Sequence, residues 1–183
     1  MKKTLLAVFA VAALAGITSS SAFAAASSMT VNGGTIRFVG SVTDAPCVIS
    51  MALKDHVVIM KQVKTSHLDT AGQASGQPTA FTVDLEDCDT STYTNASITF
   101  NGTPDADVAT AMKNEATSGA ATNVALQLYG PDGAVLNLGD ASSAYTLIDG
   151  TNKIPFTVDY IATAAAATAG AVQGTSTLQI TYS

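Results

Sequence analysis

The feature that most constrains the fold of this sequence is a period-two alternation of polar and apolar residues near its end. Between Thr177 and Tyr182 the apolar positions are Leu178, Ile180 and Tyr182, and Ser183 follows. Successive side chains of a β-strand point to opposite faces, so the pattern predicts a strand with one apolar face. Since only Ser183 follows to form a hairpin, we expect another segment to cover this edge. That segment could be an earlier strand of the same domain or a strand of another chain.

Short β segments separated by turn residues make up most of the sequence. No helical stripe persists: residues 105–115 predict a short helix or an irregular turn, and the alanine-rich residues 162–171 are interrupted by Thr and Gly, which favours a loop or an extended segment. The predicted strands are residues 35–43, 47–51, 56–63, 79–85, 96–101, 124–129, 135–138, 153–161 and 177–182. The sequence therefore predicts an all-β fold, a single sandwich of two antiparallel sheets.

The first 24 residues predict a signal peptide. Lys2 and Lys3 precede an apolar run that is too short to span a bilayer, and Ala22-Phe23-Ala24 supplies the small residues of a cleavage site. We expect cleavage after Ala24. A retained membrane anchor is the alternative, but no stop-transfer pattern follows the apolar run.

The predicted mature chain is acidic. Removing 24 of the 183 residues leaves 159, and with them six basic residues against 14 acidic ones, a net charge of 6 − 14 = −8. A chain with scattered lysines and a single arginine, Arg37, offers no basic surface for phosphates. We expect no nucleic acid among its partners.

Two cysteines, Cys47 and Cys88, are present in a chain that is predicted to be exported. An oxidising compartment favours their pairing, so one disulfide is expected. The alternative, a metal site, is poorly supported because His56 and His67 show no ligand spacing with either cysteine.

The sequence contains no recognisable catalytic, cofactor-binding or metal-binding motif. It has no nucleophile-elbow, zinc-protease or phosphate-loop pattern. The acidic run at residues 84–89 could hold calcium, although it lacks the glycine and terminal glutamate of an EF-hand loop and is more typical of a solvated strand end. An exported hydrolase on a β-sandwich is the enzyme hypothesis, and only the export signal supports it.

A second alternating segment lies near the predicted mature N-terminus. Gly34, Ile36, Phe38, Gly40 and Val42 share one face of an extended chain. An ordinary first strand of a sandwich is one interpretation of this pattern. A segment that leaves its own domain to pair elsewhere is the other.

The order and spacing of several segments resemble the major subunits of type 1 fimbriae. The segments are a signal peptide, the run from Thr30 to Gly40, Asp44-Ala45-Pro46-Cys47, Leu85-Glu86-Asp87-Cys88-Asp89 and Asn152-Lys153-Ile154-Pro155-Phe156. Each segment alone is a weak signal. Together they extend over the whole predicted mature chain.

The resemblance implies an incomplete immunoglobulin-like sandwich that lacks its last strand and is completed by a donor strand from another subunit. In this family a periplasmic chaperone first supplies the strand, and an outer-membrane usher then lets the N-terminal extension of the next subunit replace it. Such donor-strand exchange is a form of β-strand addition. The implied product is a head-to-tail filament on the cell surface, the fimbrium, joined to tip or adaptor subunits.

Applied to this sequence, the resemblance divides the chain into a signal peptide at 1–24, a donor-strand extension at 25–44 and a pilin domain at 45–183. The implied donor residues are Val31, Gly34, Ile36 and Phe38, and the implied edge of the acceptor groove is Leu178, Ile180 and Tyr182. Ordinary core packing remains the alternative role for the last three residues.

The resemblance leaves more than one function open. The favoured function is a structural subunit that forms the fimbrial shaft and supports cell adhesion. A minor adaptor or tip subunit would share both the extension and the groove. A carbohydrate-binding adhesin is less favoured, because 159 residues leave no room for a separate lectin domain before the pilin domain.

Overall fold

The structure, a computed structural model, describes residues 29–31, 33–38, 40, 42–50 and 57–183. The chain divides into two units, Met1–Gly40 and Ser41–Ser183. In the first unit the described residues belong to no strand or helix. The predicted signal peptide, residues 1–24, lies outside the described residues.

The larger sheet of the second unit has six strands in the order β1-β2-β8-β5-β4, with β6 pairing to β5, and all its pairs are antiparallel. Its long central strands are rich in β-branched and aromatic residues, which suit a pleated, buried surface. The strand bounds are β1 Val48–Ile49, β2 Thr79–Cys88, β4 Met112–Lys113, β5 Val124–Tyr129, β6 Val135–Leu136 and β8 Gly150–Ala162.

The smaller sheet has three strands in the order β7-β3-β9, also antiparallel. The bounds are β3 Asn95–Gly102, β7 Tyr145–Thr146 and β9 Ser176–Tyr182. A single 3-10 turn at Thr65–His67 is the only helical element in the described part of the chain. Within that part, no helix has the length and apolar character needed to cross a membrane.

The core lies between the two sheets and is centred on three phenylalanine rings. Phe100 on β3 meets Phe156 on β8 edge to face with ring centroids 5.1 Å apart, and Phe81 on β2 stacks on Phe156 at 5.8 Å. Such aromatic pairs add to the stabilisation gained by burying their apolar area. The inward phases of β2, β3 and β8 complete this core with Val83, Leu85, Ile98 and Ile154, all fully buried.

A disulfide closes one end of the larger sheet. Cys47, just before β1, is bonded to Cys88, the last residue of β2. The expected pairing is therefore confirmed. The cross-link joins residues 41 positions apart and fixes β1 against β2.

Two predicted strands are wrong in the described residues. None of those in 35–43 belongs to a strand, and neither do residues 57–63 of the predicted strand 56–63. An extended segment becomes a strand only when a neighbour takes up its backbone groups. Alternation identified the extended conformation of such a segment but could not supply the neighbour.

Two connecting regions also test the sequence predictions. Residues 105–115 form an irregular turn that includes the two-residue strand β4, without a helix, and residues 163–170 form a loop as expected. The strands β4 and β7 were not predicted. With two residues each, they are too short to show any periodicity.

Candidate functional site

The edge of β9 is the distinctive feature of the smaller sheet. β9 pairs along its whole length with β3, which sets Leu178 opposite Phe100 and Ile180 opposite Ile98. No strand pairs with its other edge in the described part of the chain. An open strand edge presents backbone N–H and C=O groups that can receive a further strand.

A groove of about 620 Å³ runs beside this open edge, and we call it the acceptor groove. One wall is residues 172–175 with Ser176 and Leu178 at the start of β9, the other wall is residues 57–60, and the floor is the core of the sandwich. None of the lining residues is acidic or basic. They are Val57, Val58, Ile59, Met60, Phe81, Val83, Phe100, Met112, Leu126, Leu128, Val158, Tyr160, Val172, Gln173, Gly174, Thr175, Ser176 and Leu178.

The apolar face of β9 is only half covered. Leu178, Ile180 and Tyr182 are partly buried and pack against the core, whereas the intervening residues are exposed. The predicted apolar phase is therefore the one that faces the core. Burial raises the pKa of the Tyr182 hydroxyl above its usual value.

The opposite wall has the same alternation without being a strand. Val58 and Met60 pack against the core, while Val57 and Ile59 are 78% and 84% exposed. Residues 57–60 thus present an extended backbone beside the groove. The alternation was visible in the sequence, but its place opposite β9 was not predicted.

Two glycines and Met112 shape the floor near the start of β9. A Cβ placed on Gly174 would lie 3.0 Å from Leu126 Cδ1 and 3.1 Å from Met112 Sδ. A Cβ on Gly102 would lie 3.0 Å from the carbonyl oxygen of Thr175. Larger residues at these positions would force the floor or wall to shift. No pattern in the sequence pointed to these contacts, because they join residues far apart in the chain.

A second cavity of about 580 Å³ lies next to the acceptor groove and shares Tyr160 and Val172 with it. Its apolar lining includes Leu68, Val124 and Ala167, which belong to a small cluster apart from the main core. The pKa of Tyr160 is raised, first by burial and then by the nearby Asp159 carboxylate.

The predicted donor residues belong to the first unit. Val31, Ile36 and Phe38 have exposed side chains, with Ile36 at 77% and Phe38 at 89%. Gly34 has a φ of +94°, a conformation that favours glycine. Ile36 and Phe38 thus expose the apolar phase of the alternating segment.

No group of three or more His, Cys, Asp or Glu side chains in the described residues is arranged to hold a metal ion. The acidic run at residues 84–89 lies at the end of β2, beside the disulfide. There, hydrogen bonds from Ser91 lower the pKa of Asp89 and those from Thr90 lower the pKa of Asp149. Asp89 accepts from the Ser91 N–H within one turn, whereas Asp149 accepts from the N–H and hydroxyl of Thr90, which lies 59 positions away in the chain.

Two packed antiparallel sheets with a groove in place of one edge strand define an incomplete immunoglobulin-like sandwich. The family model described as "Fimbrial protein" matches residues 36–183. The chain therefore belongs to the fimbrial protein family.

Related sequences extend over nearly the full chain. The laminin-binding fimbrial subunit ElfA of Escherichia coli O157:H7 is 40% identical over 183 residues, which is 100% of this chain and 99% of the relative. The type-1 fimbrial protein A chain of Escherichia coli (strain K12) is 38% identical over 177 residues, 94% of this chain and 96% of the relative.

Solved structures show the same fold. A chain from a chaperone-usher pilus aligns with a TM-score of 0.69 at 26% identity, covering 86% of this chain and 100% of that one. The P pilus rod subunit PapA aligns with a TM-score of 0.63, also at 26% identity, covering 76% of this chain and 100% of PapA.

These findings establish the class of function. The chain is a structural subunit of a surface fimbrium that polymerises with other pilin subunits, and it is not an enzyme. The comparisons do not favour a minor tip role or a carbohydrate-binding role.

Proposed function

We propose that the acceptor groove receives the N-terminal donor segment, residues 25–44, of a second copy of this chain. The open edge of β9 above an uncharged, apolar floor carries this proposal. The donor brings backbone groups for β9 and apolar side chains for the half-covered core. Each copy would then complete the sandwich of its neighbour.

The donor segment is long enough to cover β9. β9 spans seven residues, Ser176–Tyr182, and the apolar phase from Gly34 to Val42 spans nine. At about 3.3 Å per residue, these are about 23 Å and about 30 Å of strand. Main-chain hydrogen bonds would run along this length, and Ile36 and Phe38 would enter the groove between its walls.

The same contact explains growth of a filament. Donor and acceptor are different surfaces of one chain, so each contact is head to tail and leaves a free donor and a free acceptor at the two ends. Such contacts continue into an open helical polymer when the rotation does not close. On this proposal the chain forms the shaft of the fimbrium.

Before assembly, the groove would need a temporary strand, because exposed apolar edges promote aggregation. We infer a periplasmic chaperone that supplies this strand and an outer-membrane usher at which the donor segment replaces it. The predicted signal peptide at 1–24 supports this route. Tip or adaptor subunits would occupy the end of the filament.

Deletion of residues 25–40 tests the proposal. The deleted chain keeps the groove and loses the donor segment, so it should accept a strand from the full-length chain and give none in return. Alone it should form no polymer by electron microscopy, and mixed with full-length chain it should shorten the filaments. Polymerisation of the deleted chain as sole subunit would contradict the proposal.

A matched pair of point variants separates the donor face from general effects on the segment. Phe38→Asp places a charge on the face that would enter the uncharged groove, and we expect assembly to fall at least tenfold. Arg37→Asp changes the opposite face of the same segment. Equal loss of assembly in both variants would argue against insertion of the Phe38 face.

A further inference from the structure

Asn114, directly after β4, forms four hydrogen bonds with main-chain groups. Its side-chain Nδ2 donates to the carbonyl oxygens of Ala121 at 2.9 Å and Ala171 at 3.0 Å. Its Oδ1 accepts from the N–H groups of Ala116 at 3.1 Å and Gln173 at 3.0 Å. One amide side chain thus uses both its hydrogens and both lone pairs of its oxygen.

Two of these bonds hold the segment that leads into β9. Residues 171–175, which we call the lip segment, precede β9 and belong to none of the named strands. Residues 172–175 line the acceptor groove, and Val172 also lines the second cavity. Three main-chain bonds accompany those from Asn114. The Glu115 N–H donates to the Gln173 carbonyl at 2.7 Å, the Ala121 N–H donates to the Ala171 carbonyl at 2.9 Å, and the Ala171 N–H donates to the Gly119 carbonyl at 2.7 Å.

The position of the lip segment sets the width of the groove. At Thr175 the carbonyl oxygen lies so close to β3 that a Cβ on Gly102 would come within 3.0 Å of it. At Gly174 the backbone lies close to Met112 and Leu126. A Cβ there would lie 3.0 Å from Leu126 and 3.1 Å from Met112, closer than ordinary van der Waals contact. A shift of this segment would therefore change the space open to an incoming strand.

We propose that Asn114 is a positioning residue of the acceptor groove. Its side chain holds the lip segment in the shape that receives the donor strand, before that strand arrives. A binding surface ordered in advance gains affinity because less conformational freedom is lost on binding. This role rests on the proposed function of the groove.

The bonds of Asn114 are suited to holding the lip segment. The partners Ala171 and Gln173 are 57 and 59 positions away in the sequence, so the side chain joins the loop after β4 to the lip segment, beside the isolated bridge between Ala120 and Ala171. The side chain is half-buried and is not part of either apolar cluster. Its contribution is therefore made through hydrogen bonds to the lip segment and the facing loop.

The test measures strand binding separately from folding. A fluorescent synthetic peptide of residues 29–44 is titrated into the exported full-length chain, kept dilute, and binding is followed by fluorescence anisotropy. We expect Asn114→Ala to weaken peptide binding about tenfold at temperatures where the chain is folded. Asn137→Ala is the matched control, because its amide donates only to Asp140 Oδ2, at 2.8 Å, within one exposed turn.

A second readout distinguishes positioning from support of the fold. A residue that only stabilised the domain would lower the denaturant midpoint and leave the peptide affinity of the folded chain unchanged. Should Asn114→Ala fail to fold, Asn114→Asp keeps an acceptor for the Gln173 N–H and loses both donated bonds. Weaker peptide binding is expected for this variant too.

Unchanged affinity in the folded Asn114 variant, or an equal loss in Asn137→Ala, would overturn the role of Asn114 alone. Failure of the unsubstituted chain to bind the peptide would instead overturn the proposed function of the groove, and the role of Asn114 with it. The unsubstituted titration therefore separates the two results.

Discussion

The central strands of the larger sheet and the edge strand β9 have similar apolar patterns but different burial. β5 lies between neighbours, and its first five residues are all buried. On β8, Ile154 and Phe156 are each only 1% exposed. On β9, the inward-facing Leu178, Ile180 and Tyr182 are only partly buried.

Fold alone does not account for this difference, because all three strands pack over the same core. The difference arises from the missing neighbour on one side of β9. Apolar residues in the inward phase of a strand normally reach full burial only when adjacent strands cover their flanks. Half-burial along a whole strand therefore marks the place where a further strand belongs.

The largest expected effect comes from a matched pair of isoleucines on the two sides of this comparison. Ile154→Ala should lower the free energy of unfolding by about 2–5 kcal/mol, because a fully buried side chain leaves a cavity. Ile180→Ala should cost less than about 2 kcal/mol in the unassembled chain, because the side chain is only partly buried. Urea denaturation of both variants checks these values.

The effects of Ile154→Ala and Ile180→Ala should change differently when the chain assembles. Once a donor strand covers β9, Ile180→Ala should become more destabilising, whereas the effect of Ile154→Ala should stay nearly constant. Dissociation of assembled filaments in denaturant measures this change. An Ile180→Ala effect that is equal in the free and assembled chains would contradict burial of Ile180 by a partner.

Removal of the disulfide tests the closed end of the molecule. Replacing both Cys47 and Cys88 by Ser should lower the free energy of unfolding by about 2–4 kcal/mol, since the bond limits the freedom of the unfolded chain. The bond lies at the end of β2 and does not line the acceptor groove. Peptide binding by the fraction that remains folded should therefore be unchanged.

A smaller effect is expected from Asp149, in the turn before β8. Its folded-state pKa lies below the ordinary value because Thr90 donates hydrogen bonds to the carboxylate. Its contribution is therefore fully present above the ordinary pKa of 3.8 and is lost as the pH falls below that value through the lowered folded pKa.

Asp149→Asn should slightly flatten the loss of stability between neutral pH and acid, measured as thermal midpoints over pH 2–7. The carboxylate is exposed, so solvent screening keeps the effect small. Asp107→Asn makes the same charge change in another exposed loop and serves as the control. An identical acid profile for Asp149→Asn and the unsubstituted chain would contradict the role of Thr90.

The sequence predicted the well-paired part of the fold closely. The predicted bounds of β5 match the structure, and those of β2, β3, β8 and β9 agree within about three residues. These strands are long enough to show periodicity, and their turns contain residues with clear conformational preferences. The two-residue strands β4 and β7 carry no such signal.

The site was predictable only in part, for a physical reason. Alternation identified the inward face of β9 and the apolar phase that contains Ile36 and Phe38. It could not show that residues 57–60 form the second wall or that Gly174 closes over Met112, because those contacts depend on packing between distant segments. The pairing of donor and acceptor remains a prediction.

Amide hydrogen exchange along β9 is the most direct test of whether a donor strand pairs with its open edge in the filament. In the unassembled chain, the amides bonded to β3 should exchange slowly, and those facing the open edge should exchange rapidly. In the filament, the proposed donor strand should protect the second set as well, at least a hundredfold, with matching protection at residues 34–40. Rapid exchange of the open-edge amides in well-formed filaments would contradict the account.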